Sequence, residues 1–262
     1  MSIQPLTSPA NPKIKLVRSL ALAKGRKAAG LFLVEGPKLL AEALAHGRQP
    51  RMTFATASWW QAHGQAAPFA GLTGERYEVP ESVMAAMATT DTPTPVLAAL
   101  PLPEAERFKP GPASLVVIAH HLQDPGNLGT IIRSADAAGA DAVVVTDQTV
   151  DPYSPKVLRA TMGGLFHLPV VRMALRAFAA EFPQVPIFAM TLSGATSIYA
   201  LDLTGPVAFL VGNEGAGLAP EDEALAAHRL KIPIPGQAES LNAAMAATIC
   251  LYEAVRQRGA GA

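Results

Sequence analysis

The chain has 262 residues, of which half are hydrophobic and only 16% are charged. This is ample apolar material for the core of one large α/β domain or of two smaller ones, and it argues against disorder. Its formal net charge of zero neither favours nor excludes a nucleic-acid partner, and its single cysteine excludes an internal disulfide and fits a reducing compartment. No apolar run approaches the ~18 residues of a membrane span, and no signal-peptide layout is present, so we expect a cytoplasmic protein that is not membrane-bound.

Charge is unevenly distributed along the chain. Residues 1–51 hold nine lysines and arginines against two glutamates, a net charge of +7, and the other residues together carry −7. A basic end on a neutral protein indicates contact with a polyanion. A solvated basic helix face is at least as common, so the uneven charge alone does not decide whether the chain binds a polyanion.

The first hundred residues predict a small α/β layer. Helices are predicted at 11–30, 37–47 and 81–88, and strands at 31–36, 52–57 and 95–103. The proline-rich stretch 101–112 predicts a linker that leaves this layer.

From Ala113 onward, short apolar strands alternate regularly with helices, which predicts a parallel sheet covered on both faces. Strands are predicted at 114–119, 141–146, 185–190, 206–211 and 229–234, and helices at 128–138, 155–162, 173–182, 220–227 and 242–258. Ligands of such sheets bind in loops at the carboxyl ends of the strands. Three loops therefore need closer inspection.

The first loop follows strand 114–119. Residues 124–126 predict a turn, Asn127 is predicted to cap the next helix, and Arg133 lies six residues further on. This spacing would place an amide, the bare backbone of Gly129 and a guanidinium near one helix start, where a phosphate and a sugar hydroxyl could bind. From spacing alone, an ordinary N-cap with a surface arginine is the favoured interpretation.

The second loop follows strand 206–211. Gly212, Gly215 and Gly217 surround Glu214 in a Gly-x-x-Gly-x-Gly spacing, which differs from the Gly-x-Gly-x-x-Gly of dinucleotide-binding folds. A flexible turn is one interpretation. A carboxylate among glycines directly after a buried strand favours a site instead.

The third loop, IPIPGQAESLN (232–242), ends an apolar strand with two prolines and a glycine. It presents Ser240 and Asn242 just before an alanine-rich helix. Either residue could cap that helix, serve a small polar ligand, or do both.

Together, the segments NLGTIIR (127–133), GNEGAG (212–217) and SLN (240–242) resemble the three signatures of the SpoU family of RNA ribose 2′-O-methyltransferases, within the knotted SPOUT class. Segment 151–171 is also similar to the family's linking segment, with Thr161 where serine is more usual. The first hundred residues are similar to the substrate-binding domain of longer SpoU proteins.

This resemblance implies an α/β protein of two domains. Residues 1–105 would form an L30e-like RNA substrate-binding domain, and residues 106–262 would form a parallel-sheet SPOUT methyltransferase domain with a C-terminal trefoil knot. The first domain would explain the basic segment as an RNA-binding face.

The resemblance also implies transfer of a methyl group from S-adenosylmethionine to a ribose 2′-hydroxyl of structured RNA. By family habit the substrate would be 23S rRNA, with guanosine favoured, and tRNA is the alternative. No metal would be needed, and His120, His121 and His167 are expected in loops or packing. SpoU proteins are homodimers, and a C-terminal helix face with Met245, Ile249 and Tyr252 would suit that interface.

Site residues follow by resemblance. Arg133 would activate and orient the 2′-hydroxyl, and Glu214 would orient Asn127. The catalytic set would be Arg133, Asn127, Glu214, Ser240 and Asn242. The cofactor would contact Leu192, Ser193, Gly194, Gly212, Asn213, Glu214, Gly217, Ile232, Ile234, Ser240, Leu241 and Asn242. RNA would contact Lys13, Lys15, Arg18, Lys24, Arg26, Lys27 and Arg133.

Two other classes of protein are worth weighing against this interpretation. A non-catalytic RNA-binding or assembly factor on the same fold would be expected to have lost a polar residue from one signature, and none is lost. A nucleotide-dependent oxidoreductase or kinase would show a Gly-x-Gly-x-x-Gly or Gly-x₄-Gly-Lys-Ser/Thr loop after its first strand, and neither occurs.

Overall fold

The computed structural model describes residues 2–104, 108–192 and 196–259, which divide between two compact units. The first unit contains the described residues up to Glu104 together with Tyr153–Phe166, and the second contains the other described residues. The sequence-based division into 1–105 and 106–262 differs from this at Tyr153–Phe166. Aromatic packing explains the grouping, because the ring centroid of Phe32 lies 5.1 Å from that of Tyr153 and 6.4 Å from that of Phe166.

The described residues form twelve strands and ten α-helices. The strands are β1 (Ile3–Pro5), β2 (Leu31–Glu35), β3 (Met52–Ala55), β4 (Glu75–Glu78), β5 (Val96–Pro101), β6 (Leu115–Ala119), β7 (Ala142–Val145), β8 (Val170–Arg172), β9 (Ile187–Met190), β10 (Thr196–Ser197), β11 (Val207–Val211) and β12 (His228–Lys231). The helices are α1 (Pro12–Ser19), α2 (Ala23–Ala29), α3 (Pro37–Ala45), α4 (Ala57–His63), α5 (Glu81–Met87), α6 (Pro125–Ala137), α7 (Pro155–Thr161), α8 (Leu175–Glu181), α9 (Pro220–Glu223) and α10 (Ala243–Gly259).

The first unit is built on a mixed five-stranded sheet in the order β1-β4-β3-β5-β2. Strands β1, β4 and β3 run parallel, and β5 runs antiparallel to both β3 and β2. Ile14 and Val17 of α1 and Met84 of α5 share a buried cluster with Leu33 and Leu97 of the sheet. Burial of this apolar face holds the short helices in place.

The basic helix predicted over 11–30 is in fact two helices, α1 and α2. The buried guanidinium of Arg26 donates hydrogen bonds to the carbonyl oxygens of Leu20 (2.8 Å) and Ala21 (3.0 Å), which follow the end of α1. These bonds satisfy carbonyl groups that a helix end leaves unpaired. Gly30 then ends α2 in the left-handed region, at φ 63°.

The second unit is built on a seven-stranded sheet in the order β10-β12-β9-β11-β6-β7-β8, and every pairing in it is parallel. The central strands β6 and β11 are buried at every position. Phe178 of α8 packs in a cluster with Val116 of β6 and Leu210 of β11, and α10 packs against α6 and β11. The predicted parallel sheet covered by helices is confirmed.

Within the ranges that the structure covers, no helix combines the length and apolar character needed to cross a membrane. Cys250 of α10 is fully buried, as expected for a small core residue, and this burial raises the pKa of its thiol.

Candidate active site

A cavity of about 620 Å³ opens at the carboxyl edge of the second sheet. Strands β12, β9, β11 and β6 are consecutive neighbours in that sheet. Because they are parallel, the segments that follow them meet at one edge, which is where such sheets bind ligands. The cavity is therefore built from segments far apart in the sequence.

The cavity brings together most residues of the predicted cofactor site. Ser193 and Gly194 lie outside the described residues. The predicted cofactor residues that line the cavity are Leu192, Gly212, Asn213, Glu214, Gly217, Ile232, Ile234, Ser240, Leu241 and Asn242. Asn127 of the predicted catalytic set lines it too.

Asn127 does not cap α6, contrary to the prediction. The cap is Asp124, whose carboxylate accepts a hydrogen bond from the backbone N–H of Asn127 at 2.8 Å. Asn127 thus lies in the first turn of the helix, and its side-chain amide is available for contacts with other loops.

Glu214 ties two of the signature loops together. Its carboxylate accepts hydrogen bonds from the side-chain amide of Asn127 (3.0 Å) and from the backbone N–H groups of Gln123 and Asp124 (3.1 Å each). Partial burial raises the pKa of Glu214, but these hydrogen bonds outweigh burial, so that its net pKa lies below the ordinary value. The carboxylate is therefore ionised at neutral pH and fixes the loop in front of α6.

Asn242 extends this network into the third loop. Its side-chain nitrogen donates to the side-chain oxygen of Asn127 at 2.9 Å, while its oxygen accepts from the backbone N–H groups of Ala244 (2.9 Å) and Met245 (3.2 Å). Asn242 is thus the cap of α10. Ser240 is exposed and lines the cavity without capping that helix.

Arg133 stands apart from this network. It is exposed in the middle of α6 and is not among the residues that line the cavity. Six residues of helix separate it from Asn127, an axial rise of about 9 Å. The expectation that both lie near one helix start is therefore wrong, and no other described residue forms a hydrogen bond or ion pair with the side chain of Arg133.

The glycine-rich loop is a tight turn held by Asn213. The side-chain oxygen of Asn213 accepts from the N–H groups of Gly215 and Ala216, and its amide donates to the carbonyl oxygen of His121, all at 2.9 Å. A Cβ on Gly212 would lie 2.7 Å from the carbonyl oxygen of Gly217, closer than normal contacts allow. The turn itself therefore requires a glycine at position 212.

Sequence reasoning missed one polar contact beside this loop. Nε2 of His120 lies 3.0 Å from a carboxylate oxygen of Asp222 in α9, and Nδ1 lies 3.0 Å from the hydroxyl of Thr146. Burial lowers the pKa of His120, and the hydrogen bond with Asp222 opposes that effect only in part. A neutral histidine therefore anchors α9 beside the carboxyl end of β6, although the His-His dipeptide gave no sign of a partner a hundred residues away.

In the first unit, the predicted RNA contacts divide into two groups. Arg26 is only 3% exposed and bonds to backbone carbonyls, so the prediction that it contacts RNA is wrong. Lys13 is hydrogen-bonded to both Glu75 and Tyr77. The remaining four have exposed side chains that form no hydrogen bond or ion pair with any described residue: Lys15, Arg18, Lys24 and Lys27.

Two domain families match the chain. Residues 114–252 match the SpoU rRNA Methylase family, and residues 11–98 match the MRM3-like substrate binding domain. The three signature loops all lie inside the first match. The four exposed basic residues all lie inside the second.

Similar proteins extend over nearly the whole chain. The 23S rRNA (guanosine(2553)-2′-O)-methyltransferase of Bacillus subtilis is 36% identical over 94% of this chain and 97% of its own length. The 23S rRNA (uridine(2479)-2′-O)-methyltransferase of Streptomyces viridochromogenes is 33% identical over 90% and 86%. The crystal structure of an AdoMet-bound rRNA methyltransferase from Sinorhizobium meliloti has a TM-score of 0.85 and 34% identity, covering 97% of this chain and 98% of that one. This chain therefore belongs to the SpoU rRNA methylase family, with an MRM3-like substrate-binding domain ahead of its methylase domain.

Proposed function

We propose that this RNA ribose 2′-O-methyltransferase, which uses S-adenosylmethionine, acts on 23S rRNA in the cytoplasm and modifies a guanosine. The Bacillus relative is named for a guanosine and the Streptomyces relative for a uridine, at 36% and 33% identity. The choice of guanosine is therefore based on the substrates usual in the family and on a small difference in sequence identity between the two relatives. A tRNA substrate is the alternative for the same chemistry.

The hydrogen-bonded chain Glu214–Asn127–Asn242 is the observation that best supports a working enzyme. It joins the three signature loops around one cavity by side-chain contacts of 3.0 and 2.9 Å. A network of this kind holds its loops in place, which favours a fixed geometry for the reacting groups. A decayed, non-catalytic relative would be expected to have lost one of these contacts.

The cavity suits S-adenosylmethionine in size and lining. Its volume of about 620 Å³ falls within the range of small-molecule sites. Leu192 is 60% exposed and Leu241 38% exposed at its wall, so an adenosine group would remove apolar surface from water. When bound, the cofactor supplies a methyl group already activated by its sulfonium, and no metal ion is needed.

We assign the remaining roles from this chain's own residues. Backbone and apolar side chains around Ile232, Ile234 and Leu241 would hold the cofactor, and the ionised Glu214 would keep Asn127 in place. Arg133 would bind RNA phosphate through its guanidinium and orient the ribose 2′-hydroxyl for loss of its proton. Lys15, Arg18, Lys24 and Lys27 would contact the RNA backbone from the first unit.

A second copy of this chain is the proposed protein partner. On α10, Met245 is 51% exposed and Tyr252 48% exposed, and the half-buried Ile249 lies between them at helical spacing. These residues form an apolar strip on a helix whose buried residues pack against α6 and β11. This strip would be covered in a homodimer.

The test is methylation of total RNA by the purified protein with labelled S-adenosylmethionine, followed by mapping of the modified nucleotide. We expect label at a guanosine of 23S rRNA. The Arg133→Ala variant should lose transfer by roughly a hundredfold or more while still binding S-adenosylhomocysteine, since Arg133 does not line the cavity.

Each other outcome corrects a stated part of the proposal. Label at a uridine would overturn the proposal that the modified nucleotide is a guanosine. Label in tRNA would overturn the proposal that the substrate is 23S rRNA. Cofactor binding without label in any RNA would favour a non-catalytic factor. Near-wild-type turnover by Arg133→Ala would remove that residue from the mechanism.

A further inference from the structure

We propose that Lys231 binds the carboxylate of the amino-acid group of S-adenosylmethionine and so selects this cofactor over adenosine ligands that lack the carboxylate. The inference rests on the proposed function and adds a residue that the three signature loops do not contain.

Among the described residues, three that are charged line the cavity: Glu214, Glu223 and Lys231. The carboxylate of Glu214 is occupied by the three hydrogen bonds already described. That of Glu223 lies 3.6 Å from the guanidinium of Arg229. Lys231 is exposed and its side chain has no hydrogen bond or ion pair with any described residue, so its charge is uncompensated at the cavity wall.

The position of Lys231 in the fold favours a fixed role. It is the last residue of β12, directly after the fully buried Leu230, and it pairs in register with Ser197 of β10. Ile232 and Ile234, which follow it, also line the cavity. A cation at the end of a paired strand is better ordered than one inside a loop, so less conformational entropy is lost when it binds a ligand.

The charges of S-adenosylmethionine are complementary to the single positive charge of Lys231. Adenosine is neutral, and the sulfonium and ammonium groups of S-adenosylmethionine are positive, so its carboxylate is the only anionic group. A carboxylate that leaves water needs a charged or hydrogen-bonding partner. Of the charged residues that line the cavity, only Lys231 has the required sign.

The experiment measures binding by isothermal titration calorimetry in the absence of RNA. Two ligands are compared, S-adenosylhomocysteine and its decarboxylated analogue, which keeps the adenosine and the ammonium. The proteins are the full chain, Lys231→Gln, the charge-preserving Lys231→Arg, and Lys109→Gln. Lys109 is a matched control because it is an exposed lysine of the same unit, lies before the amino end of β6 and does not line the cavity.

We expect Lys231→Gln to weaken S-adenosylhomocysteine by about three- to tenfold, the range for a partly solvated ion pair. Affinity for the decarboxylated analogue should stay unchanged or rise, because the lysine would repel its ammonium. Lys231→Arg and Lys109→Gln should bind both ligands as the unaltered chain does.

Two results would overturn the assignment. Equal losses for both ligands would show that the substitution damages the cavity in general. Wild-type affinity of Lys231→Gln for S-adenosylhomocysteine would show that the lysine does not contact the carboxylate. Failure of the unaltered chain to bind S-adenosylhomocysteine would overturn the proposed function itself.

Discussion

The second unit contains the polar network Glu214–Asn127–Asn242, and the first unit contains a basic surface formed by Lys15, Arg18, Lys24 and Lys27. The two differ in whether their polar side chains have partners within the protein. Glu214, Asn127 and Asn242 are joined by hydrogen bonds to one another and to backbone groups, and these bonds fix their positions. The side chains of Arg18 and Lys27 are exposed and have no partner among the described residues. The function of the polar network depends on the geometry of its hydrogen bonds, whereas RNA binding by the basic surface depends on its number of positive charges.

This difference predicts different responses to substitution. Loss of one member of a fixed network leaves its partners unsatisfied, so one change should have a large effect that salt hardly alters. Loss of one charge from a surface that binds a polyanion should have a small effect that salt alters strongly. The following predictions test this contrast, beginning with the largest effect.

Asn242→Ala should have the largest effect, because Asn242 both caps α10 and bonds to Asn127. Loss of the cap should lower the free energy of unfolding by about 1 kcal/mol. Loss of the bond to Asn127 should lower kcat/KM by roughly tenfold or more. Urea unfolding and methyl-transfer assays on the same preparation measure the two effects.

Asn242→Ser separates the two roles, since serine caps helices well but is too short to keep the contact with Asn127. It should keep most of the stability and lose as much activity as Asn242→Ala. Full activity in the serine variant would show that the cap alone matters, and the network would then be no more than a structural detail.

Glu214→Gln should have a smaller, pH-dependent effect. Burial raises the pKa of Glu214, but the hydrogen bonds from Asn127, Gln123 and Asp124 bring it below the ordinary value of 4.5. The ionised carboxylate therefore stabilises the fold above that value, and the contribution is lost as pH falls through the folded-state pKa.

The unaltered chain should exceed Glu214→Gln in free energy of unfolding by only about 0.5 kcal/mol at pH 7, because Glu214 is exposed and solvent screens its contacts, and by less at pH 4. Urea titrations of both proteins at pH 7, 5 and 4 measure this difference. A gap that stays constant or widens towards pH 4 would contradict the assigned hydrogen bonds.

The sequence predicts the second unit well because its strands are short and uniformly apolar. Runs such as SLVVIA (114–119) have no alternating polar face, which fits only strands covered on both sides. β10 has two residues and β8 has three, and neither run is long enough to show a pattern. The C-terminal knot stays a prediction, because residue patterns do not reveal chain threading.

The site was harder to predict than the fold, because its contacts join distant residues. The resemblance to the SpoU signatures predicts Asn127, Glu214 and Asn242 as site residues, whereas spacing alone predicts Asn127 as the helix cap, a position that Asp124 takes instead. The network became visible only when parallel strands brought residues 127, 214 and 242 to one edge. Similarly, composition placed Arg26 among RNA-binding residues, and only the fold shows that it is buried.

Arg26 and Lys27 offer the most sensitive test of the contrast, since they are adjacent basic residues with different surroundings. Lys27 is exposed, whereas Arg26 donates to the carbonyl oxygens of Leu20 and Ala21. Lys27→Gln should weaken binding of rRNA by only about two- to fourfold and reduce the slope of log affinity against log salt by about 1 or less, with the melting temperature unchanged.

Arg26→Gln is the matched control, because it removes the same charge one residue away. It should lower the melting temperature, since buried carbonyl groups lose their donors, and it should leave the salt slope of the folded protein unchanged. Equal changes of slope in both variants would mean that the first unit acts through net charge alone. In that case burial would not distinguish structural from RNA-binding residues, and the basic surface would have to be defined by composition instead of exposure.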